Sequence, residues 1–328
     1  MVKSNYSVSR ISLEALEPVW QRTRNRLPWR CLFVTPFWLE TVVKHLGAAG
    51  EPQILIVSHH QEVVGVVSLA CRDKIASFLG IADVCDYQDA TIAPGYEEQV
   101  GRSVLDHLSR QGIQRLDLQT LRPQATMVKA LESLEKKSRL NITRLPGDVT
   151  YEAALPGDWQ TYLMQLSGKQ RHEVRRKVRR LESCGTYTYR MTGAGDDLKE
   201  ATEMFLKLFH LNRTDKAEFM DETMSAYFRE LIERLARQQM LRLYFLAVDE
   251  RPAAAVLCFD YNGTRYLYNS GYDADFQHLS VGIISKVLSI RKSIEAGCGI
   301  FDFLKGAEGY KKQIGGSEIP LYRYLVEF

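Results

Sequence analysis

The chain has 328 residues, 45% of them apolar and 25% charged, with a net charge of +3 at pH 7. This composition excludes a disordered or collagen-like polypeptide, and no apolar run approaches the roughly 20 residues needed to cross a bilayer. With so small a net charge, any attraction for anions must come from local clustering.

The opening Met1–Arg10 has no apolar core after its lysine, which predicts no secretory signal. The six cysteines, Cys31, Cys71, Cys85, Cys184, Cys258 and Cys298, are scattered without metal-ligand spacing. Free thiols in a cytoplasmic protein without a metal site are therefore expected.

From Leu13 to Ala49 the chain reads as helices broken at Pro18, Pro28 and Pro36, with Thr35-Pro36 opening the last of them. Trp38 in that helix is either a core residue or the lining of a groove. Gln53–Ser58 and Val63–Leu69 are apolar runs on either side of His59-His60-Gln61-Glu62, the spacing of a hairpin. Asp83, Asp86 and Asp89 then crowd three carboxylates around Tyr87. A helix over Glu97–Arg110, Gly112 and a strand over Arg115–Gln119 complete the first half.

Pro146-Gly147 breaks the pattern near Asn141–Tyr151, so a boundary is placed there, with domains of residues 1–146 and 147–328. Just beyond it, Ser167–Glu182 forms a strongly basic helix. Its residues Arg171, Arg175 and Arg179 make one ridge at i,i+4 spacing, and His172, Arg176 and Arg180 make the next. Such stacked like charges are either a solvated face or a surface for phosphate.

The second half repeats the series of the first. Leu241–Val248 and Ala253–Tyr261 flank Asp249-Glu250-Arg251-Pro252, and Gly297-x-x-x-x-Asp302 matches Gly112-x-x-x-x-Asp117. Both closing helices carry Val-Gly near their start, at Val100-Gly101 and Val281-Gly282. The ordered set predicts an internal duplication of α/β units. Between them, Arg265–Ser270 alternates as a strand, apolar positions from Val281 to Ile294 recur as a helix stopped by Gly297, and Ile300–Leu304 is a buried strand. A strand-loop-helix start at Ser280-Val281-Gly282 presents free N–H groups, which suits an anion.

The run Tyr272, Ser280, Gly282, Ala296-Gly297, Asp302-Phe303, Gly306 and Tyr310-Lys311 resembles the carboxy-terminal part of CelD-like (BioF-type) GNAT acyltransferases, which are similar in turn to FemABX-type aminoacyl transferases. Val281 stands where that family usually has proline. The resemblance implies α/β (α+β) architecture with two tandem GNAT-like domains, each a mixed sheet flanked by helices. The first is expected to have no cofactor of its own, because its helix entry lacks a comparable polar loop. The resemblance implies acyl-CoA as co-substrate at Ser280, Val281 and Gly282. No metal is expected, since neither the cysteines nor the Asp83–Asp89 cluster offers a full ligand set. Lys169, Arg171, Arg175 and Arg176 match a basic segment of the family, which makes Arg171 and Arg175 candidates for substrate or phosphate contact. His210 and Arg213, followed by Phe219, match a family His/Arg pair. Asp86, Tyr87 and Asp89 match an Asp-Tyr-x-Asp that suits an amine acceptor. Trp38 and Tyr272 complete the expected substrate contacts.

For the chemistry, Asp302 is the candidate base, Tyr310 the candidate acid toward the leaving thiolate, and Lys311 a candidate for binding a carboxylate or phosphate. A backbone N–H of Arg265–Ser270 would hold the oxyanion. The leading expectation is an N-acyltransferase acting on an amine of a sugar, polysaccharide or cell-envelope precursor. The alternatives are a FemABX-like transferase using aminoacyl-tRNA, and a non-catalytic protein that binds a polyanion or membrane surface through residues 169–180. A cytoplasmic location, peripheral at the inner membrane face in the last case, goes with these readings.

Overall fold

The computed structural model describes residues 5–137, 140–193, 196–211 and 220–328. The chain divides into two compact units: Met1–Asp148 with Pro320–Phe328, and Val149–Ile319. The sequence boundary had left the C-terminal residues with the second domain. They return to the first because their strand pairs there.

In the first unit, strands β1 (Tyr6–Ile11), β2 (Glu51–His59), β3 (Glu62–Arg72), β4 (Ile75–Phe78), β6 (Arg115–Leu121) and the end of β13 (Ser317–Glu327) lie side by side in that order, and the short β5 (Thr91–Ile92) pairs with β3. All neighbours are antiparallel except β4 and β6. Helices α1 (Leu16–Thr23), α2 (Pro36–Leu46), α3 (Glu97–Arg110) and α4 (Thr126–Lys137) accompany the sheet. Pro18 lies in the first turn of α1, where its missing N–H removes no helical bond, so it does not break the helix as expected. Leu55, Val57 and Val67 of the strands meet Val104 and Leu108 of α3 and Leu131 of α4 in one apolar core.

The second unit repeats the plan. Strands β8 (Tyr187–Met191), β9 (Leu241–Val248), β10 (Arg251–Tyr261), β11 (Thr264–Tyr272) and β12 (Ile300–Lys305), with the end of β7 (Asn141–Ala154), lie in that order, and again only the fourth and fifth strands are parallel. Its helices are α5 (Trp159–Gln165), α6 (Gly168–Ser183), α7 (Leu198–His210), α8 (Glu222–Arg237), α9 (Val281–Glu295) and the single turn α10 (Gly309–Gln313). Val256, Leu267 and Phe301 of the strands pack against Val287 and Ile290 of α9.

The duplication extends to the turns. His60-Gln61 and Asp249-Glu250 close the first hairpin of each unit as two-residue turns with positive φ. Asp73-Lys74 and Asn262-Gly263 close the second hairpins in the same way. In both units the parallel pair is short, Ile75–Ser77 against Arg115–Asp117 and Thr264–Tyr266 against Ile300–Asp302. The matched aspartates also behave alike, since each faces the sixth strand of its own unit: Asp117 receives the Arg323 guanidinium, Nε to Oδ1 at 2.7 Å, and Asp302 receives the Thr150 hydroxyl at 3.5 Å. One difference concerns the helix start: α9 opens at Val281, but α3 opens at Glu97, ahead of Val100-Gly101.

Candidate functional site

The site of the second unit begins with a parting of strands. After Tyr266 opposite Asp302, β11 stays paired to β10 through Tyr272, while β12 shifts register against β7 between Asp302 and Lys305. The gap between β11 and β12 thereby opens toward the start of α9. A cavity of about 470 Å³ lies there, lined by Ser270, Tyr272, Ser280, Gly282, Lys286 and Tyr310, among others.

Backbone geometry fixes this corner. Ser280 sits in the left-handed region at φ 59, a conformation that costs a non-glycine residue about 1 kcal/mol, and it turns the chain into α9. Gly282 lies in the first turn, where a Cβ would come within 2.8 Å of Cδ1 of Tyr272. Its bare Cα is what lets the tyrosine ring lie against the helix start. The first N–H groups of α9 have no intrahelical acceptor, and no acidic residue occupies that turn.

Two ammonium groups converge on this end. Lys177 of α6 donates to Ser280 Oγ at 3.2 Å and pairs with Glu173 at 3.1 Å. Lys286 is 8% exposed, donates to the Gly282 carbonyl at 2.6 Å, and lies 5.0 Å from the centre of the Tyr310 ring. Arg180 adds a donor to the carbonyl of His278 at 3.0 Å. Burial, with the Glu308 carboxylate adding to it, pushes the Tyr310 phenol well above its ordinary range. Tyr310 therefore holds its proton at neutral pH and acts as a hydrogen-bond donor. The helix start of the first unit differs in charge. There the first turn of α3 carries Glu97 and Glu98, and Glu97 Oε2 accepts from the Gly95 N–H at 2.7 Å. Carboxylates stand where an anion would have to bind.

Of the residues singled out from sequence, the fold brings Tyr272, Ser280, Val281, Gly282 and Tyr310 to one cleft. Asp302 is elsewhere: its carboxylate is wholly buried and accepts from the Leu304 N–H at 2.7 Å, holding Leu304 at φ 59 where β12 bends. It shapes the strand end and is closed to a substrate ammonium. Lys311 is 1% exposed, and its ammonium donates to the carbonyls of Leu304, Lys305 and Gly306 at 3.0, 2.7 and 3.0 Å while pairing with Glu308 at 2.9 Å. No donor is left over for a ligand, so its role is to fasten the turn that carries Tyr310.

Arg171 and Arg175 line a different depression, together with Trp159, Leu163 and Val174. His210 ends α7 with its ring nitrogens 2.7 and 3.0 Å from the carbonyls of Leu206 and Met220, a backbone tie. Arg213 and Phe219 lie outside the described residues. Trp38 is wholly buried, edge-on to Phe33, and so is a core residue. Tyr87 is buried against Phe33 and under Arg122, and Asp86 beside it is half-buried.

Asp89 caps the start of α4, accepting from the N–H groups of Thr126 at 2.7 Å and Met127 at 2.9 Å. Burial raises its carboxyl to about 6 despite those bonds. A carboxyl whose folded pKa exceeds its unfolded value lends stability below about pH 4 that is lost as pH rises through about 6. Asp89→Asn should thus gain stability relative to the wild type between about pH 4 and 7, as read from urea unfolding at both values. A difference that does not change with pH would show that the charge is not disfavoured there.

Lys177 was hidden from sequence reading, which ranked the arginine ridges of α6 and passed over the lysine between them. The signal was the i,i+3 pair Lys177 and Arg180, whose side chains are about 60° apart around the helix.

Residues 168–312 match the family model of the acetyltransferase (GNAT) domain. This stretch is a GNAT-superfamily domain. The cleft between β11, β12 and α9 lies inside the matched region. No curated protein sequence matches the chain. Among solved structures, FemX aligns over 96% of this chain and 96% of its own, at 11% identity and a TM-score of 0.63. A conserved protein of unknown function from Bacteroides thetaiotaomicron aligns over 98% and 99%, at 13% identity and a TM-score of 0.65. A tandem GNAT protein from the clavulanic acid biosynthesis pathway aligns over 98% of both chains, at 12% identity and a TM-score of 0.52. These likenesses are of fold. Among the described residues, no helix is long and apolar enough to cross a membrane and no group of three or more acidic, histidine or cysteine side chains is arranged to hold a metal.

Proposed function

We propose that the second unit is an acyl-CoA-dependent N-acyltransferase whose acceptor is an amine of a sugar, polysaccharide or cell-envelope precursor. The observation that carries the reading is the cleft where β11 and β12 part, ending on a helix start flanked by Lys177 and Lys286. Coenzyme A presents a pyrophosphate and a long thioester arm, and the helix N–H groups and two ammonium groups suit the first while the strand gap suits the second. The class of acceptor rests on the resemblance noted in the sequence.

In this reading the acceptor nitrogen, once deprotonated, attacks the thioester carbon. A backbone N–H of β11 beyond Tyr266, where its pairing with β12 ends, takes the oxyanion. As the C–S bond breaks, the Tyr310 hydroxyl donates to the departing sulfur, stabilising the thiolate by a hydrogen bond, since so weak an acid keeps its proton. Glu308, exposed at the mouth, is placed to attract the acceptor ammonium and relay its proton to solvent. Supply of acyl-CoA puts the protein in the cytoplasm.

The test is thermal stability with coenzyme A and acetyl-CoA. A stabilising shift is expected, and Lys177→Ala should weaken the affinity about tenfold, the value of one charge-assisted hydrogen bond. A second reading, transfer from aminoacyl-tRNA, is favoured by the arginine face of α6. Absence of any shift with acetyl-CoA, together with protein-dependent release of labelled amino acid from charged tRNA, would replace the first reading with it.

A further inference from the structure

Strand β8 ends the strand order of the second unit, with a neighbour on one side only. The Asp249 N–H donates to the Thr186 carbonyl at 2.8 Å, and the Thr192 N–H to the Leu243 carbonyl at 2.8 Å. By antiparallel alternation, the even residues from Thr186 to Thr192 turn their backbone groups to β9, and Tyr187, Tyr189 and Met191 turn theirs outward. Their N–H and C=O groups stand along an edge that, among the described residues, no further strand takes up. Sheet edges are commonly blunted by a charged residue, a proline or a bulge. Here the pairing with β9 runs unbroken from Tyr187 to Met191, and the one charged side chain of β8, Arg190, is held by Asp196 at 2.8 Å.

A groove of about 460 Å³ runs beside this edge. Thr188 and Arg190 of β8 and Phe245 of β9 form its floor, Glu200 and Met204 of α7 its wall, and Glu250 of the hairpin turn borders the start of β8. Leu246 and Val248, the alternate residues of β9, turn instead to the core with Val281. The groove therefore lies on the face of the sheet away from the start of α9.

Charge selects the occupant. The groove carries one guanidinium against the carboxylates of Asp196, Asp197, Glu200 and Glu250. Asp196 neutralises Arg190, and Asp197 accepts from the N–H groups of Lys199 and Glu200 at 2.8 and 3.2 Å. Glu200 and Glu250 are exposed and, among the described residues, in no ion pair. A strand added beyond β8 lies about 4.8 Å from it and turns alternate side chains to the groove. Only a long side chain ending in a cation reaches from there across Thr188 to the two glutamates, its aliphatic stem lying on Phe245. The intervening side chains fall on the other face, beside the exposed Met191 and the half-buried Tyr187, where apolar residues fit. A second copy of β8 would set the same excess of carboxylates against itself.

We infer that the edge of β8 is a docking site for an extended segment of a partner protein in which basic and apolar residues alternate. The segment joins the sheet through the backbone of Tyr187, Tyr189 and Met191 and sets lysine or arginine side chains on Glu200 and Glu250. The site does not depend on the acyl-CoA reading.

The intact protein is titrated with a fluorescent seven-residue peptide of alternating lysine and valine, capped at both ends, and binding is read by polarisation. Saturable binding is expected. It should weaken about tenfold when Glu200→Gln is combined with Glu250→Gln, and to a similar extent in Met191→Pro. It should vanish for the same peptide methylated at every backbone nitrogen and stay unchanged in Glu308→Gln. Proline at 191 removes an outward N–H and no bond to β9, and the glutamates are exposed, so each variant should keep the wild-type melting temperature. The inference is overturned if the lysine peptide does not bind, or if a peptide of alternating glutamate and valine binds as well. It is overturned too if the methylated peptide binds equally or spermidine displaces the lysine peptide at equal concentration, since the carboxylates alone would then be acting. Loss in Glu308→Gln with retention in the Glu200/Glu250 variant would assign the signal to the cleft. Dimers of the protein that Met191→Pro dissolves would give the edge to a second copy.

Discussion

Gly282→Val should abolish stabilisation of the protein by acetyl-CoA. In the wild type a ligand at about 100 times its Kd adds roughly 2.7 kcal/mol, and the variant should show no shift under the same conditions. A Cβ at this position would lie 2.8 and 3.0 Å from Cδ1 and Cε1 of Tyr272, closer than such contacts occur, and valine adds two further methyl groups. Either the ring swings into the cleft or the first turn of α9 moves away from Lys177. Both outcomes remove the anion site while leaving the core behind Ile284 and Val287 in place. The variant's own melting temperature separates loss of the site from loss of the fold. A double variant, Gly282→Ala with Tyr272→Ala, makes room for the new methyl and should recover part of the shift. If Gly282→Val still responds fully to acetyl-CoA, the cofactor does not bind at the start of α9.

Which of these residues sequence could assign to the cleft follows from how local their reasons are. The Val281–Ile294 periodicity, the stop at Gly297 and the short buried strand after it are set by neighbours within a few positions, so the crossover and its polar start were readable. The same holds for α3, whose bounds Glu97–Arg110 follow from one apolar stripe, and for the paired hairpins, whose turns recur in both halves. Short elements carried too little pattern: Ile75–Phe78 and Thr91–Ile92 owe their strand form to β3 and not to their own residues. The sixth strands were also unreadable. Tyr322–Glu327 pairs with Leu121 back to Arg115, some two hundred positions away, and Thr150–Ala154 with Lys305 back to Ile300. Pairing at that separation leaves no local trace.

The misassigned site residues share a physical cause. Asp302 and Lys311 carry the side chains of an acid-base pair, and only their surroundings show that each is already committed to the backbone at the bend of β12. Trp38 likewise has the bulk for a groove wall and is enclosed by Phe33 in the core. Lys177 shows the reverse case, a lysine in a basic run that reads as solvated and is 15% exposed at its side chain because Ser280 and Glu173 hold it. A side chain's chemistry sets what it is able to do, and the partners that it meets on folding decide whether it is free to do it.

Lys311→Met should destabilise the protein by about 3 kcal/mol, because removing one member of a buried, hydrogen-bonded charged group strands its partners. The partners are the carbonyls of Leu304, Lys305 and Gly306 and the carboxylate of Glu308, all within 3.0 Å of one ammonium. These carbonyls converge only because Leu304 and Gly306 adopt φ of 59 and 115, a turn that the lysine holds together. Methionine fills the channel but supplies no donor, and Lys311→Arg brings a fork too wide for a site that is 1% exposed, so it should not restore stability. Urea unfolding reads the loss as a lower midpoint at unchanged slope. Transferase activity should fall with it, since Tyr310 is the adjacent residue and would lose its place under Lys286. Normal stability with lost activity would instead mean that Lys311 leaves its carbonyls to act on substrate, and would return it to the chemistry of the cleft.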